Sequence, residues 1–233
     1  MPKHLVFVGG GHAHLTAMMG LRDTVRAGHR VTLIGPSRYS GIYRPAEARF
    51  HVKKMAEDRG ATFIEERVVL VDPVRRILVL GSGAEVRYDA VSFNTGSEVP
   101  LDLLHPSGEN VYPVKPIENL LAARKKILAA DLGKRLCVVV VGGGTAAVEI
   151  AANLGHLARE TGRIGGITLV SRSNVLGDFP GKARARARGA LARWGVESIE
   201  GVAAESIADG VVRLGNGADL EGDMVFVATG IRP

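Results

Sequence analysis

At 233 residues, 46% hydrophobic and 23% charged, the chain has room for one large or two modest domains, each able to bury a core. A net charge of +6 permits attraction to nucleic acid or an anionic surface without showing either, and the one cysteine, Cys137, excludes an intrachain disulfide, a Cys-x-x-Cys redox pair and a cysteine zinc set. No apolar run approaches the ~18 residues that span a bilayer, and Lys3 leads directly into a short strand without a signal-peptide core, so the chain reads as cytoplasmic.

The first predicted strand, 5–8, runs into Gly9-Gly10-Gly11 and then a helix over 13–27, on which Ala13, Ala17, Met18 and Leu21 recur at three and four. A second strand occupies 30–34. Short apolar runs at 63–64, 68–71 and 77–80, with Asp72-Pro73 and Gly81-Ser82-Gly83 between them, predict a small antiparallel addition to the sheet. Residues 91–93 return as a buried strand that ends at Thr95-Gly96. Residues 100–116, rich in proline, glycine and polar side chains, read as a linker, which places one domain over 1–116 and another over 117–233. The second half then repeats the order: helix 117–129, strand 136–141, helix 146–158, strand 167–170, helix 183–194, and short strands ending at 225–228. Strands alternating with helices predict an α/β fold with two tandem Rossmann-like dinucleotide-binding domains, parallel sheets and small antiparallel additions. Lys182, Arg184, Arg186, Arg188 and Arg193 concentrate the positive charge. Their i, i+2 spacing scatters them around a helix and only Trp194 interleaves, so a solvated basic face is the preferred reading over a nucleic-acid surface.

One phrase is written twice. Val8-Gly9-Gly10-Gly11 recurs as Val141-Gly142-Gly143-Gly144, and each copy is closed by a second shared phrase: Asp89-Ala90-Val91 through Thr95-Gly96, and Asp223-Met224-Val225 through Thr229-Gly230. The spacing from first glycine to threonine agrees within one residue between the copies. A strand turning sharply into a helix aims free N–H groups and the positive end of the helix dipole at a pyrophosphate. The first glycine permits the turn, the second lets backbone approach phosphate, and the third position sets strand–helix packing. In the second copy these are Gly142, Gly144 and Ala147, with Gly143, Thr145, Ala146 and Glu149 in the same turn. In the first they are Gly9, Gly11 and His14, with Gly10, His12 and Ala13 between. Histidine there must pack at the helix–sheet contact or swing toward a ligand; one imidazole without a visible carboxylate partner favours packing.

The acidic residue that usually grips a ribose hydroxyl after the next strand is missing from both copies. Ser37 stands there in the first and Arg172 in the second. Ser37 can replace one hydrogen bond of a carboxylate, and a cation at Arg172 leans the second site from NAD toward NADP.

On these motifs the chain resembles the two-dinucleotide-binding-domain flavoproteins of the pyridine nucleotide-disulfide oxidoreductase superfamily. Gly9–His14 and Tyr39-Ser40-Gly41 are most similar to the branch holding type II NADH dehydrogenases, sulfide:quinone reductases and flavoprotein modules fused to selenide, water dikinase. The resemblance implies FAD at Gly9–His14, Ser37, Arg38, Thr95 and Gly96, with Tyr43–Pro45 near the isoalloxazine, unless Pro45 merely shapes its loop. It implies NAD or NADP at Gly142–Ala146, Glu149, Arg172, Thr229 and Gly230. The stretch 38–47, where disulfide reductases carry their cysteine pair, has no cysteine, so the implied route runs from NAD(P)H to FAD and on to a quinone or another small acceptor without protein thiols. The superfamily also carries a Gly-Asp segment and a C-terminal domain after the second Thr-Gly, so the expectation is a chain truncated before them. The leading function is an FAD-dependent NAD(P)H oxidoreductase, with no catalytic acid or base assigned, no metal, no nucleic-acid partner and a homo-oligomer allowed. The alternative is a non-catalytic dinucleotide-binding or sensing module.

Overall fold

The structure is a computed structural model and describes residues 1–37, 40–41, 49–102, 104–116, 118–131 and 133–231. It contains two units, Met1–Gly96 and Ser97–Pro233.

In the first unit, β1 (His4–Val8) turns into α1 (His12–Met18), α2 (Leu21–Arg26) and β2 (Arg30–Ile34). There follow β3 (Ser40–Gly41), β4 (Arg49–Phe50), α3 (Val52–Glu57), β5 (Thr62–Ile64), β6 (Val68–Asp72), β7 (Ile77–Leu80), β8 (Glu85–Arg87) and β9 (Ala90–Phe93). A parallel sheet runs β5-β2-β1-β9, with Val6 opposite Thr32 on one side and Val91 on the other. Because successive strand side chains point to opposite faces, β1 is apolar from Leu5 to Val8 and feeds two cores. Phe7 packs with Leu15, Met18, Leu21 and Val52 under the helices. Val6 and Val8 pack with Ile34, Leu78 and Leu80 toward the antiparallel sheet β6-β7-β8.

Two expectations need correction here. The single helix over 13–27 is two helices, because the chain turns at Gly20. The N–H groups of Met19 and Gly20 donate to Thr16 and Ala17, three residues back rather than four. Glycine's poor helix propensity makes that the weak point of the run. The apolar pair 63–64 belongs to the parallel sheet, as β5 paired to β2, and only 68–71 and 77–80 enter the antiparallel addition.

The second unit begins with β10 (Val111–Pro113), α4 (Glu118–Ala129), β11 (Leu136–Val141), α5 (Thr145–Thr161), β12 (Ile164–Ser171) and α6 (Gly181–Arg193). It closes with β13 (Val196–Glu200), β14 (Ala204–Ala208), β15 (Val211–Leu214), β16 (Asp219–Glu221) and β17 (Met224–Val227). The parallel order is β10-β17-β11-β12-β13. Val138 and Val140 face Ala147, Ala151, Leu154 and Leu191 of the helices. Val139 and Val141 face Ile207, Val212 and Leu214 of the antiparallel sheet β14-β15-β16. The two units therefore share one plan, with helices on one face of a parallel sheet and a three-stranded antiparallel sheet on the other.

They differ at one edge. β10, inside the proline-rich 100–116, pairs with β17, Tyr112 lying opposite Phe226. That pairing draws the stretch into the second unit, so the units divide at Gly96/Ser97 rather than at 116/117. Among the described residues β9, the counterpart of β17, is the last strand of its sheet.

The shared Asp of the repeated closing phrase has the same task twice. Asp89 Oδ2 accepts the His4 N–H at 2.7 Å, and Asp223 Oδ2 accepts the Cys137 N–H at 2.9 Å. Each carboxylate also meets a lysine: Lys3 at 3.5 Å and Lys134 at 2.9 Å. The crossing strand thereby pins the first residues of the central strand, and in both cases the backbone N–H holds the carboxyl below the ordinary aspartate value, the lysine adding to it.

Candidate functional site

At the C-terminal end of β11 the chain reverses over three glycines. Gly142 has φ +143°, and a Cβ there would lie 2.5 Å from the Ala228 carbonyl oxygen and 3.3 Å from the Ala147 Cβ. Its N–H donates to Val170 at 2.8 Å, so the turn is fixed against β12 as well as against the residue after β17. A Cβ on Gly143 would stand 2.0 Å from Ser171 Oγ. Ala147 is fully buried, as its position at the strand–helix contact requires.

Gly144 differs from both. It is extended, at φ −83° and ψ −178°, and a Cβ there would meet no protein atom within 4 Å. Neither the backbone nor the packing requires glycine. It caps the 17-residue α5 without a side-chain acceptor, and the first turn carries no acid. The open space above it is where the helix N–H groups and dipole favour an anion, and a pyrophosphate fits that chemistry.

A cavity of about 600 Å³ lies over this turn. Gly142, Gly143, Gly144, Arg172, Thr229 and Gly230 line it, so six of the residues predicted from the sequence are brought together. Ser171, Ser173, Asn174, Leu176, Phe179, Pro100 and Leu104 also line it and were missed. Their signal was weak: the stretch after β12 has neither periodicity nor a repeat in the first half. Asp178 also lines it, so the lining carries one carboxylate as well as the Arg172 cation. Thr145, Ala146 and Glu149 are exposed on the first turns of α5, outside the lining.

The lining loop between β12 and α6 is tied at two adjacent residues. Leu176 N–H donates to the Gly143 carbonyl at 2.7 Å, and Val175 N–H donates to Glu200 Oε2 at 2.7 Å. Arg188 holds that carboxylate in a fork, Nε to Oε1 at 2.8 Å and the terminal nitrogen to Oε2 at 2.7 Å. Its hydrogen bonds keep the Glu200 carboxyl below its ordinary value, with the Val175 N–H and the nearby Arg184 adding to the effect.

The first unit repeats the turn with changed parts. Gly9 has φ +92°, and its Cβ would lie 2.3 Å from the Asn94 carbonyl oxygen. A Cβ on Gly11 would be 2.0 Å from Asn94 Oδ1. Asn94 holds the place that Ala228 holds in the second unit: its N–H donates to Val8, as that of Ala228 does to Val141, and its carbonyl accepts Gly11 N–H at 3.2 Å. The repeated phrase was the signal for Asn94, whose role the sequence did not reveal.

His14 is 2% exposed, with Nδ1 at 2.7 Å from the Gly9 carbonyl and Nε2 at 3.0 Å from Ser92 Oγ. Its ring meets Phe7 edge-on, 4.8 Å between centroids. Both nitrogens therefore have protein partners, and the imidazole braces the turn against β1 and β9. Gly10 is half-buried; His12, Ala13, Ser37, Thr95 and Gly96 are exposed. Arg38, Tyr39, Tyr43 and Pro45 lie outside the described residues, as does the rest of 42–48.

Cys137 is exposed at the start of β11, away from both turns in the chain. Among the described residues no helix is long and apolar enough to cross a membrane, and no group of three His, Cys, Asp or Glu side chains is arranged to hold a metal ion.

Against known proteins, the profile described as pyridine nucleotide-disulphide oxidoreductase matches residues 3–233. The ferredoxin–NAD(+) reductase component of the p-cumate 2,3-dioxygenase system from Pseudomonas putida is 28% identical over 98% of this chain and 58% of its own length. Ferroptosis suppressor protein 1 from Taeniopygia guttata is 29% identical over 98% of this chain and 62% of its own. Among solved structures, the ferredoxin reductase for the CYP199A2 system of Rhodopseudomonas palustris superposes with a TM-score of 0.83 at 22% identity, covering 99% of this chain and 59% of that one. The chain thus spans less than two thirds of the length of the relatives it matches.

Proposed function

The chain belongs to the pyridine nucleotide-disulphide oxidoreductase family, and from that premise we propose that it is an FAD-dependent NAD(P)H oxidoreductase, with FAD on the first unit and the nicotinamide nucleotide on the second. The observation that carries the reading is Gly144: a glycine whose Cα faces open space above a helix start, at a cavity of about 600 Å³, as close approach of a pyrophosphate needs. The first unit repeats the left-handed glycine turn at Gly9 ahead of α1, and that repeat supports FAD there. Asn94 stands opposite Gly9 and Gly11, where open space stands opposite Gly144.

FAD, when bound, supplies two-electron acceptance of a hydride from the reduced nicotinamide. This chain's own residues bind and orient. The N–H groups at the starts of α1 and α5 hold pyrophosphates; His12, Ala13, Ser37, Thr95 and Gly96 contribute around FAD. Thr145, Ala146, Glu149, Thr229 and Gly230 do so around the nicotinamide nucleotide. His14 is a brace and not a proton carrier. Arg172 offers a cation to a ribose phosphate, which favours NADPH over NADH, against the opposing charge of Asp178. Reduced FAD would then supply two electrons to a quinone or another small acceptor, a route that uses no protein thiol. A second acceptor class, a ferredoxin, is favoured by the ferredoxin reductases among the relatives.

Titration of the purified protein with FAD, followed by anaerobic NADPH or NADH, tests this. The expected outcome is flavin absorbance that co-elutes with the protein and bleaches on addition of the reduced nucleotide. A colourless protein whose melting temperature moves with neither FAD nor NAD(P)H would overturn the reading.

A further inference from the structure

At the ribose end of the second nucleotide site, the register pairs Ser171, the last residue of β12, with Glu200, the last residue of β13. A carboxylate is therefore present at this end of the sheet, one strand over from where a ribose-gripping acid ordinarily stands. It does not line the cavity. It accepts two hydrogen bonds from Arg188 and one from the Val175 N–H. Arg188 also reaches Asn174 Oδ1 at 3.3 Å, so the pair touches two successive residues of the loop that lines the cavity. The next residue, Leu176, is tied to the Gly143 carbonyl and has φ +52°, a conformation that a leucine keeps only when its neighbours hold it. Val175 itself is fully buried beneath the helices, between these two ties.

We propose that Arg188 and Glu200 are a positioning pair for the nicotinamide nucleotide: through the Val175 N–H they hold the loop carrying Arg172, Asn174, Leu176 and Phe179 in the shape that receives its adenosine end. This deepens the oxidoreductase reading and rests on it. The pair touches neither ring nor phosphate. Its effect is on how much of the protein presents a ready-made site, and binding energy not spent on ordering a loop appears as affinity.

Three substitutions separate this role from general support of the fold. Arg188→Met removes the fork, Glu200→Gln keeps an acceptor for Val175 N–H but loses the charge, and Arg188→Lys keeps the charge without the fork. Calorimetric titration of each full-length variant with NADPH and with NADH reads affinity directly, and thermal unfolding without nucleotide reads the fold. The expected result is binding about tenfold weaker for Arg188→Met, with an intermediate loss in the other two and a melting temperature within a few degrees of the parent. Where turnover is measurable, KM for the nucleotide rises and kcat at saturation holds. Parent-like affinity in both Arg188→Met and Glu200→Gln overturns the proposal, as does a loss of affinity that only follows a large fall in melting temperature. A parent protein that binds neither nucleotide overturns the underlying reading of the site instead.

Discussion

Gly142 and Gly144, two positions apart, are the same residue for different reasons. Gly142 is demanded by the protein: a left-handed backbone and a carbonyl 2.5 Å from where its Cβ would sit. Substituting alanine there costs about 1–3 kcal/mol of backbone strain before any repacking. Gly144 is demanded by nothing in the protein. Gly144→Val is therefore expected to melt within a few degrees of the parent while weakening NAD(P)H binding at least ~10-fold, since branched carbon would occupy the anion's place. Gly142→Ala is expected to lower the melting temperature whether or not nucleotide is added. Differential scanning fluorimetry with and without NADPH distinguishes the two, and equal behaviour of both variants would remove Gly144 from the site. Both glycines were legible in the sequence as a turn. The difference between them was not, because it depends on what lies opposite each Cα. The same holds for His14: its departure from glycine was plain in the sequence, but its bond to Ser92 reaches a residue far away in the chain.

At the scale of elements, the repeated closing phrase has a mechanical purpose. β9 and β17 each begin beside an aspartate that captures an N–H at the start of the central strand, that of His4 or of Cys137. The folded-state pKa of both carboxyls is depressed, so the stability they add is complete above the ordinary aspartate value near 3.8 and drains away as pH falls through the lower folded values. Asp223→Asn is expected to lower the melting temperature by about 2–4 °C at pH 7. In the double variant Asp89→Asn/Asp223→Asn the acid limb of the stability–pH curve flattens. Urea unfolding from pH 7 down to pH 2.5 checks this, and parent-like slopes would show that the clamps contribute nothing. The sequence announced these aspartates by repeating them at matched spacing, yet pattern alone could not say whether they served ligand or fold. Elements with strong periodicity, such as the strand 136–141, were read with their true bounds. The break at Gly20 and the strand β10 hidden among prolines were not, because one needed a hydrogen-bond shift and the other a partner more than a hundred residues later.

For the whole molecule, duplication without identity is the governing fact. Both units place a glycine turn at the end of a central strand, a crossing strand behind it, helices on one face and an antiparallel sheet on the other. Two such units imply two independent occupancies. Hydrogen exchange is expected to slow at 8–15 on adding FAD and at 142–150 and 172–178 on adding NADPH, each nucleotide leaving the other turn unprotected. Protection of both turns by a single nucleotide would contradict the division of labour. The fold class was legible because two copies of one pattern corroborate each other. The division between the units was not, because a segment with linker composition supplied a strand to the second sheet.

That added strand has a consequence for handling the protein. β17 is enclosed between β10 and β11, whereas among the described residues β9 ends its sheet, with Phe93 half exposed at its tip. A bordering strand can accept any extended backbone of suitable register, including that of another molecule. Strand addition by a second copy therefore has a starting point at β9, as it has at the other border strands β5, β10 and β13.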